Sequence, residues 1–466
     1  MKPVTITDIL HLLELKGQFQ PDSMKWKLIL LLAAPVWAQD PLSLREAVRL
    51  SLRENKAIAG TAAAARASQA RVAQAHATSL PHVNYAESFT RSDNPVFVFG
   101  SLLTQHQFGI ENFNIGPLNR PDFLNNFQSQ VTVDQVIYDA GQTRNAVQSA
   151  ELARKMSGEE QRRVEMEVIA GVARAYYGAV LAGQSLQAAE KAVRSAEADL
   201  ERAESVRAAG MSTDADVLSI RVHLAQVNEQ RINRSADVDV AKAALNDALG
   251  LPLDTPHTLS TSLAALDLPD MDLENLEHEA SSTRPETRQT HLMSGLAQAQ
   301  ADSARGSLLP QVSFHAAFEA DRQRFVTRAG GNWLASVNLH WNLFNGFADR
   351  ARIAESGYLL RRAAADEQRT DSAVRLQVRR AWAALRAAAQ RIEVAKASVA
   401  EAEESLRITQ NRYAAGMSNV TDLLRTETAV LESRTRYLAA VHDQRVAATM
   451  VEFAAGHLSA DSEVLN

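Results

Sequence analysis

The chain has 466 residues, with 49 Lys and Arg against 55 Asp and Glu, which gives a formal net charge of −6. This balance argues against a nucleic-acid-binding protein, because such a protein normally carries a basic face. Only 20 Gly and 13 Pro occur, and that composition favours long helices. The chain has no cysteine. Disulfides, thiolate catalysis, cysteine metal sites and lipid attachment through an N-terminal cysteine are therefore excluded.

The start of the chain predicts export. From Met24 it reads MKWKLILLLAAPVWAQD, in which two lysines precede an apolar run and a small-residue cleavage site. The apolar run is too short to span a bilayer, which takes roughly 20 residues. We therefore predict a signal peptide over 24–38 and a mature chain beginning at Gln39, with 1–23 as an upstream extension or an extended n-region. Export without cysteine indicates a bacterial envelope protein.

The mature chain begins with a helical pattern over 42–80 that a proline ends. Alternation of apolar and polar residues then predicts two strands within 82–138. The loop between them, 91–126, has a length that suits an exposed functional or inserted segment. A helical hairpin is predicted over 142–250. In the second strand the two alternating sets are Phe127, Ser129, Val131, Val133 and Ile137 on one side and Gln128, Gln130, Thr132 and Asp134 on the other.

The second half repeats this plan. A linker containing proline and threonine covers 252–272, and a helix over 273–307 follows it. Two strands are predicted within 311–344 and a second helical hairpin over 347–456, which leaves 457–466 as a C-terminal tail. The apolar seam of the first hairpin comprises Leu186, Ala189, Val193, Ala196, Leu200, Ala203, Val217, Ile220, Leu224 and Val227.

A near-identical motif lies in the middle of each hairpin. AAGMSTDADVL at 208–218 returns 206 residues later as AAGMSNVTDLL at 414–424. A repeat of this length indicates a tandem duplication, with a first repeat at 39–251 and a second at 273–456.

The strands and helices together favour a membrane protein assembled from several chains. Each half has two strands with one apolar face, and the helical seams are used in helix–helix contacts, so lipid is the natural cover for that face. In lipid a sheet must close on itself, and bacterial barrels have at least about eight strands. We therefore predict a homotrimer whose four strands per chain form a twelve-stranded barrel. Its polar lumen would be lined by Gln128, Gln130, Thr132, Asn338, His340 and Asn342.

At this point the chain resembles the TolC-like outer-membrane efflux proteins, the outer membrane factors. The resemblance rests on the duplicated order of elements and on the hairpin motif. The family pattern of Tyr-x-x-Gly with Asp six residues after the Gly is met by Tyr413, Gly416 and Asp422. In the first half Gly210 and Asp216 fit the pattern, while an arginine replaces the tyrosine.

This resemblance implies the fold class and the partners. The fold would be mainly α with a membrane β-barrel: the duplicated coiled-coil hairpins form a periplasmic α-barrel below the trimeric twelve-stranded barrel. The protein would lie in the lipid of the bacterial outer membrane with its helices in the periplasm. It would dock on a periplasmic adaptor (membrane fusion) protein and an inner-membrane pump of RND, ABC or MFS type, and export drugs, metals or proteins.

The same resemblance places the candidate site residues at the hairpin tips. A tip turn that docks on the adaptor would comprise Gly210, Met211, Ser212, Gly416, Met417 and Ser418, and a periplasmic entrance would comprise Tyr413, Asp422, Asp216 and Arg425.

Each of these residues also has a purely structural interpretation. The two glycines fit the left-handed position that ends a helix. The two aspartates fit the third position of a helix capped by Thr213 or Asn419, where a carboxylate satisfies free amides. Tyr413 fits the role of an aromatic side chain that is half-buried at an interface between neighbouring helices.

The tips also depart from the family pattern. Some members have Arg where this chain has Ser418, and a further Asp where it has Arg425; the first half has Ser212 and Ser219 at these positions. The sequence therefore does not predict a double acidic ring, and Arg425 would offset the charge of the remaining aspartates.

No catalytic or cofactor motif is present. The sequence has no His-x-x-x-His pair with a Glu, no phosphate-binding loop and no Gly-x-Ser-x-Gly elbow. We predict no enzyme activity, no cofactor and no metal, and a passive conduit that takes its energy from a partner. The alternative is a soluble periplasmic coiled-coil scaffold or adaptor protein; a soluble helical-bundle enzyme is a weaker one.

Overall fold

The computed structural model describes residues 41–267, 271–326 and 329–466. The predicted signal peptide over 24–38 and the start at Gln39 lie outside these residues. The first half contains α1 (Leu44–Glu54), α2 (Lys56–Ala77), β1 (His82–Ser92), α3 (Pro95–Thr104), α4 (Ile115–Asn119), β2 (Leu124–Tyr138), α5 (Gln142–Ala208) and α6 (Asp214–Leu249).

The second half contains α7 (Leu273–Thr283), α8 (Pro285–Gly306), β3 (Gln311–Arg322), β4 (Gly330–His340), α9 (Ala348–Ala414) and α10 (Val420–Ala455). Two short 3₁₀ helices cover Ile110–Phe113 and Glu463–Leu465. The duplication extends to helix length, since α5 and α9 each have 67 residues and α6 and α10 each have 36.

Two of the predicted helices are each broken into two. The pattern over 42–80 breaks at Asn55, whose backbone is extended and whose side chain caps α2 by accepting from the Ala57 amide at 2.9 Å. The pattern over 273–307 breaks at Arg284, because a residue before proline is disfavoured in the helical conformation. Each of the two helical patterns is thus divided into two consecutive helices.

The strand region also differs in detail from the prediction. The segment over 91–126 contains α3 and α4, with Asn94 capping α3 through its Oδ1 at 3.0 Å from the Val96 amide and a proline in the first turn. The last strand ends at His340, and the chain over 341–344 continues as an exposed, irregular segment.

The four strands form one antiparallel sheet in the order β1-β2-β3-β4. The registers align Tyr85, Val131, Phe318 and Trp333 across all four strands, so these side chains share one face. Residues one step away, such as Gln130, face the other side. The predicted alternation is confirmed, and the two edges of the sheet belong to β1 and β4.

The helices form two long antiparallel hairpins, α5 with α6 and α9 with α10. At about 1.5 Å per residue, the longer helix of each hairpin, α5 or α9, extends for about 100 Å. The predicted seam is largely confirmed, because Ala189, Val193, Ala196 and Ala203 are buried along α5. Among the described residues no helix combines the length and apolar composition needed to cross a membrane.

The main core lies part-way along the hairpins, where α1 packs between α5 and α6. Tyr176 and Tyr177 are fully buried there. The Tyr176 hydroxyl donates to the Leu42 carbonyl at 2.7 Å and accepts from the Thr261 amide at 2.9 Å. These bonds attach the linker between the repeats to the first hairpin. The tail packs back as well, with Leu465 fully buried.

Candidate functional site

Both predicted tip turns are helix C-terminal motifs centred on a left-handed glycine. Gly210 has φ +75° and Gly416 has φ +72°. In the first turn the Gly210 amide donates to the Arg207 carbonyl at 2.8 Å and the Met211 amide to the Val206 carbonyl at 3.0 Å. The second turn has the same pair of bonds. This pattern is the Schellman motif, and nothing lies within 4 Å of a Cβ built on either glycine, so backbone conformation alone requires glycine there.

The returning helices are capped differently in the two halves. Thr213 and Asp216 form a reciprocal capping box: the Asp216 amide donates to Thr213 Oγ1 and the Thr213 amide to Asp216 Oδ2, both at 3.2 Å. Bonds from Thr213 and then from Ser212 hold the pKa of the Asp216 carboxyl below its ordinary value. In the second half Asn419 Oδ1 accepts from the Asp422 amide at 2.8 Å. There the Asp422 carboxylate receives one bond, from Ser418 Oγ at 3.4 Å.

Tyr413 lies where the two hairpins meet. Its ring packs with Ala203, Val217 and Val420, a small cluster that joins α5, α6 and α10. Burial, followed by the charges of Asp216 and Asp199, raises the pKa of the Tyr413 hydroxyl. The structure therefore brings Tyr413 and Asp216 together across the hairpins.

The other predicted residues lie at the surface of the tip. The side chains of Met211 and Met417 are 76% and 65% exposed. Arg425 is exposed and makes no ion pair with any residue that the structure describes. It lines an open groove between α6 and α10. Arg425 is thus not joined to Tyr413 or Asp216 within one chain.

A buried polar cluster two to three turns from the tip was missed by the sequence analysis. Asp199 of α5 is 4% exposed and Glu427 of α10 is 8% exposed. Ser195 Oγ donates to Glu427 Oε1 at 3.1 Å, and His223 Nε2 lies 3.5 Å from Glu427 Oε2. Arg202 lies 3.3 Å from Asp199 Oδ1. The cluster joins both hairpins through Glu427.

The two carboxyl groups of this cluster differ in their affinity for a proton. Burial, together with the hydrogen bond and the negative charge of Glu427, raises the pKa of Asp199 to about 7. Burial raises the pKa of Glu427, but hydrogen bonds from His223, Asp199 and Ser195 together outweigh it and lower the pKa. Asp199 Oδ2 is buried and has no hydrogen-bond partner. Protonation of Asp199 is favoured there, because an ionised Asp199 would be a buried charge repelled by the Glu427 carboxylate.

The sequence did hold a signal for this cluster. Asp199 follows Ala196 by three residues, and Glu427 follows Leu423 by four, so both carboxylates occupy apolar seam positions. Comparison of the two repeats does not reveal these carboxylates, because the residues at the equivalent positions, 206 residues away, are Ser405 and Arg221. Among the described residues no group of three metal-binding side chains comes together.

The model of the outer membrane efflux protein family matches residues 47–251 and 276–457. These two segments cover most of both repeats. The chain belongs to the outer membrane efflux protein family. The family and the fold are those of transport channels rather than enzymes, and they favour the channel over a periplasmic scaffold.

The curated relatives are distant but extend over most of the chain. The chain is 28% identical over 345 residues to protein CyaE of Bordetella pertussis, covering 72% of each protein. It is 24% identical over 379 residues to the outer membrane efflux protein BepC of Brucella suis, covering 79% of this chain and 80% of that protein.

Solved outer-membrane channels share the fold. The CmeC channel of Campylobacter jejuni superposes with a TM-score of 0.77 at 16% identity, covering 97% of this chain and 95% of that one. CusC superposes with a TM-score of 0.76 at 17% identity, covering 89% and 93%. The chain is an outer-membrane channel-tunnel protein of tripartite systems, and its family implies trimeric assembly.

Proposed function

We propose that three copies of this chain form a passive conduit that carries substrates from an inner-membrane pump across the periplasm and the outer membrane. The single observation that carries the proposal is the four-stranded sheet. One of its faces carries a row of apolar side chains with no cover from the helices: Tyr85, Val131, Phe318 and Trp333. The side chain of Trp333 is 80% exposed. An apolar sheet with two free edges requires lipid on its face and further strands at its edges.

The long hairpins give the conduit its length. Their tips lie about 100 Å from the sheet, at the end of the molecule that faces the inner membrane when the sheet is in the outer membrane. The exposed Met211 and Met417 side chains and the two glycine turns supply a surface for a periplasmic adaptor. Methionine suits such a surface because its flexible side chain adapts to a partner.

The proposed entrance is formed where Tyr413 faces Asp216 between the hairpins. Threefold symmetry would bring three copies of Asp422 and of Arg425 around one opening. The carboxylates favour cations and the arginines offset them, so the opening would have weak charge selectivity. A hairpin can move outward only if the contacts of Tyr413 with the first hairpin separate.

Single-channel recording in planar bilayers tests the entrance. Replacing Tyr413 and Asp422 with alanine is expected to raise conductance, since the packing of Tyr413 between the hairpins and the carboxylate charge of Asp422 at the opening are both lost. Asp214→Asn is the matched control, because Asp214 lies at the same tip with its side chain 83% exposed and pairs with Arg207 of its own hairpin. Unchanged conductance in the double variant would assign Tyr413 and Asp422 to packing and capping alone.

The exported substrate is tested genetically. Deleting the gene and screening susceptibility across drugs, solvents and metals should reveal at least one class of compound to which the cells become sensitive, or one secreted protein that disappears from the medium. Recovery of the protein in the soluble periplasmic fraction would instead support a scaffold.

A further inference from the structure

The connection between β1 and β2, residues 93–123, is fixed to the sheet by a buried polar network. Gln105 Nε2 donates to Asn126 Oδ1 at 2.8 Å, and Asn126 Nδ2 donates to Asp321 Oδ1 at 2.6 Å. Gln105 is 3% exposed and Asp321 is 1% exposed. On β4, Asn332 Nδ2 donates to the Thr104 carbonyl at 3.1 Å. These bonds hold the C-terminal end of α3 against three strands, so the connection has a defined position.

The connection covers the polar face of the sheet. Asp321 lies opposite Gln128 on β2 and Gly330 on β4, while Asn332 lies opposite Glu319. All of these positions belong to the face that the Tyr85–Trp333 row does not occupy. A Cβ on Gly330 would lie 2.0 Å from the Thr104 carbonyl oxygen, so α3 touches the sheet there. In the three-chain barrel this face is the lumen, at the end remote from the helical hairpins.

The same segment exposes apolar side chains that have no cover within the chain. Val96 is 82% exposed, Ile110 85% and Ile115 76%. The segment itself is compact, because Phe108 contacts Phe99 and Phe113 with ring centroids 4.7 and 5.2 Å apart. Such apolar groups in a water-filled mouth would be unfavourable by about 25 cal/mol for each Å² left in water.

The dimensions of the proposed barrel indicate that copies of this segment from the other two chains cover these apolar side chains. Twelve strands about 4.8 Å apart and tilted by about 40° give a diameter of about 24 Å between opposite backbones. Three helices about 10 Å wide placed side by side fill a circle of about 22 Å. Three copies of α3 on the inner wall of one such barrel would therefore contact each other.

We propose that the 93–123 segments of three chains pack together through these apolar side chains and form a lid across the extracellular mouth. This inference rests on the three-chain barrel proposed above. The β3–β4 connection, 323–329, is much shorter than 93–123, so we assign one lid segment to each chain. The lid would limit entry of large molecules from outside and would have to part during export.

Single cysteines test the contact, because the chain has none of its own. Val96→Cys, Ile110→Cys and Ile115→Cys are each oxidised in intact cells, with Val326→Cys as the control. Val326 is 88% exposed and lies in the β3–β4 connection of the same end. At least one lid variant should give a covalent dimer, and Val326→Cys should give none. A membrane-impermeant maleimide should label the lid cysteines several-fold more slowly than the control.

If no lid variant forms a cross-link and the lid cysteines are labelled as fast as Val326→Cys, the lid proposal is wrong. The proposal of a trimer is not affected by that result. Each variant is also run unheated on a gel, where loss of the trimer band would instead count against the proposed channel. Binding of an external partner or lipid to the patch would show as slow labelling without a covalent dimer, and that outcome also rejects the lid.

A matched pair of glycine variants tests the function of the lid. Gly330→Ala places a methyl group against the Thr104 carbonyl, whereas at Gly331 a Cβ meets only the Phe318 ring at 3.4 Å. Gly330→Ala should detach α3 and increase uptake of a large antibiotic several-fold, and Gly331→Ala should leave uptake unchanged. Equal uptake in both variants, with the trimer band present, would contradict the lid.

Discussion

Replacing Asp199 with asparagine should stabilise the hairpins near neutral pH and remove part of their pH dependence. The folded chain holds the pKa of Asp199 at about 7, against an ordinary value of 3.8. Between these two values the folded state binds a proton that the unfolded state has lost. The free energy of unfolding therefore falls as pH rises through this window. Asparagine keeps the shape and a donor toward Glu427 but cannot ionise.

The magnitude follows from the width of the window. Each pH unit is equivalent to about 1.36 kcal/mol, so from pH 5 to 7 the wild-type chain should lose about 2 to 3 kcal/mol relative to Asp199→Asn. This is an upper limit, because the folded state begins to lose the Asp199 proton as the pH approaches 7 and the slope then decreases. The pKa of Glu427 is lowered, so the stability that its charge contributes is lost only in acid below this range. Work above pH 5 therefore separates the titration of Asp199 from that of Glu427.

The assay is urea unfolding of the purified protein in detergent, followed by circular dichroism at several pH values. Asp214→Asn serves as the control, since Asp214 is an exposed aspartate at the tip and lies outside the buried cluster. Infrared spectra should also show a protonated carboxyl band at pH 6 that Asp199→Asn abolishes. Identical pH slopes in the wild-type and Asp199→Asn proteins would refute the raised pKa of Asp199.

Three further predictions concern the turns and caps. Thr213→Ala should lower the free energy of unfolding by about 1 kcal/mol and raise the pKa of Asp216. Hydrogen exchange in the first turn of α6 measures the first effect, and titration of the carboxyl group measures the second. Unchanged protection of these amides from exchange would contradict the capping box. Gly416→Ala should cost about 1 kcal/mol because of its positive φ, whereas Gly183→Ala, inside α5 and in open space, should gain about 0.5 to 1 kcal/mol. Gly456→Ala should be the most destabilising of these changes, since its Cβ would lie 2.6 Å from Thr283 Oγ1 and its φ is also positive. Urea unfolding ranks the three glycine variants by their free energy of unfolding. A smaller loss of stability at Gly456 than at Gly416 would contradict the close packing around Gly456.

The repeat, the hairpins and the two faces of the sheet could be predicted because each depends on a local pattern. Gly210 and Gly416 lie between long helical periodicities, and the alternation around Val131 has a period of two. Such signals need no knowledge of distant contacts. The break of α1 from α2 could not be predicted in the same way, because Asn55 is held partly by the Ala248 carbonyl of a remote helix, at 3.1 Å from its Nδ2.

The candidate site was only partly predictable for the same reason. The sequence identified Tyr413 and Asp216 through their positions around the turns, and their approach across the hairpins depends on tertiary packing. The buried pair of Asp199 and Glu427 combines residues 228 positions apart on different hairpins. A carboxylate on an apolar seam was visible in each helix, but only the fold shows that the two meet. The fixed position of α3 likewise depends on Asp321 and Asn332 of the second half.

The central claim is that three copies of this chain form one channel, and native mass spectrometry of the protein extracted in detergent from outer membranes tests it most directly. The expected result is a dominant species with three times the mass of the mature chain, which persists without a cross-linker. A preparation from the outer membrane that contains only the monomer would contradict the shared barrel.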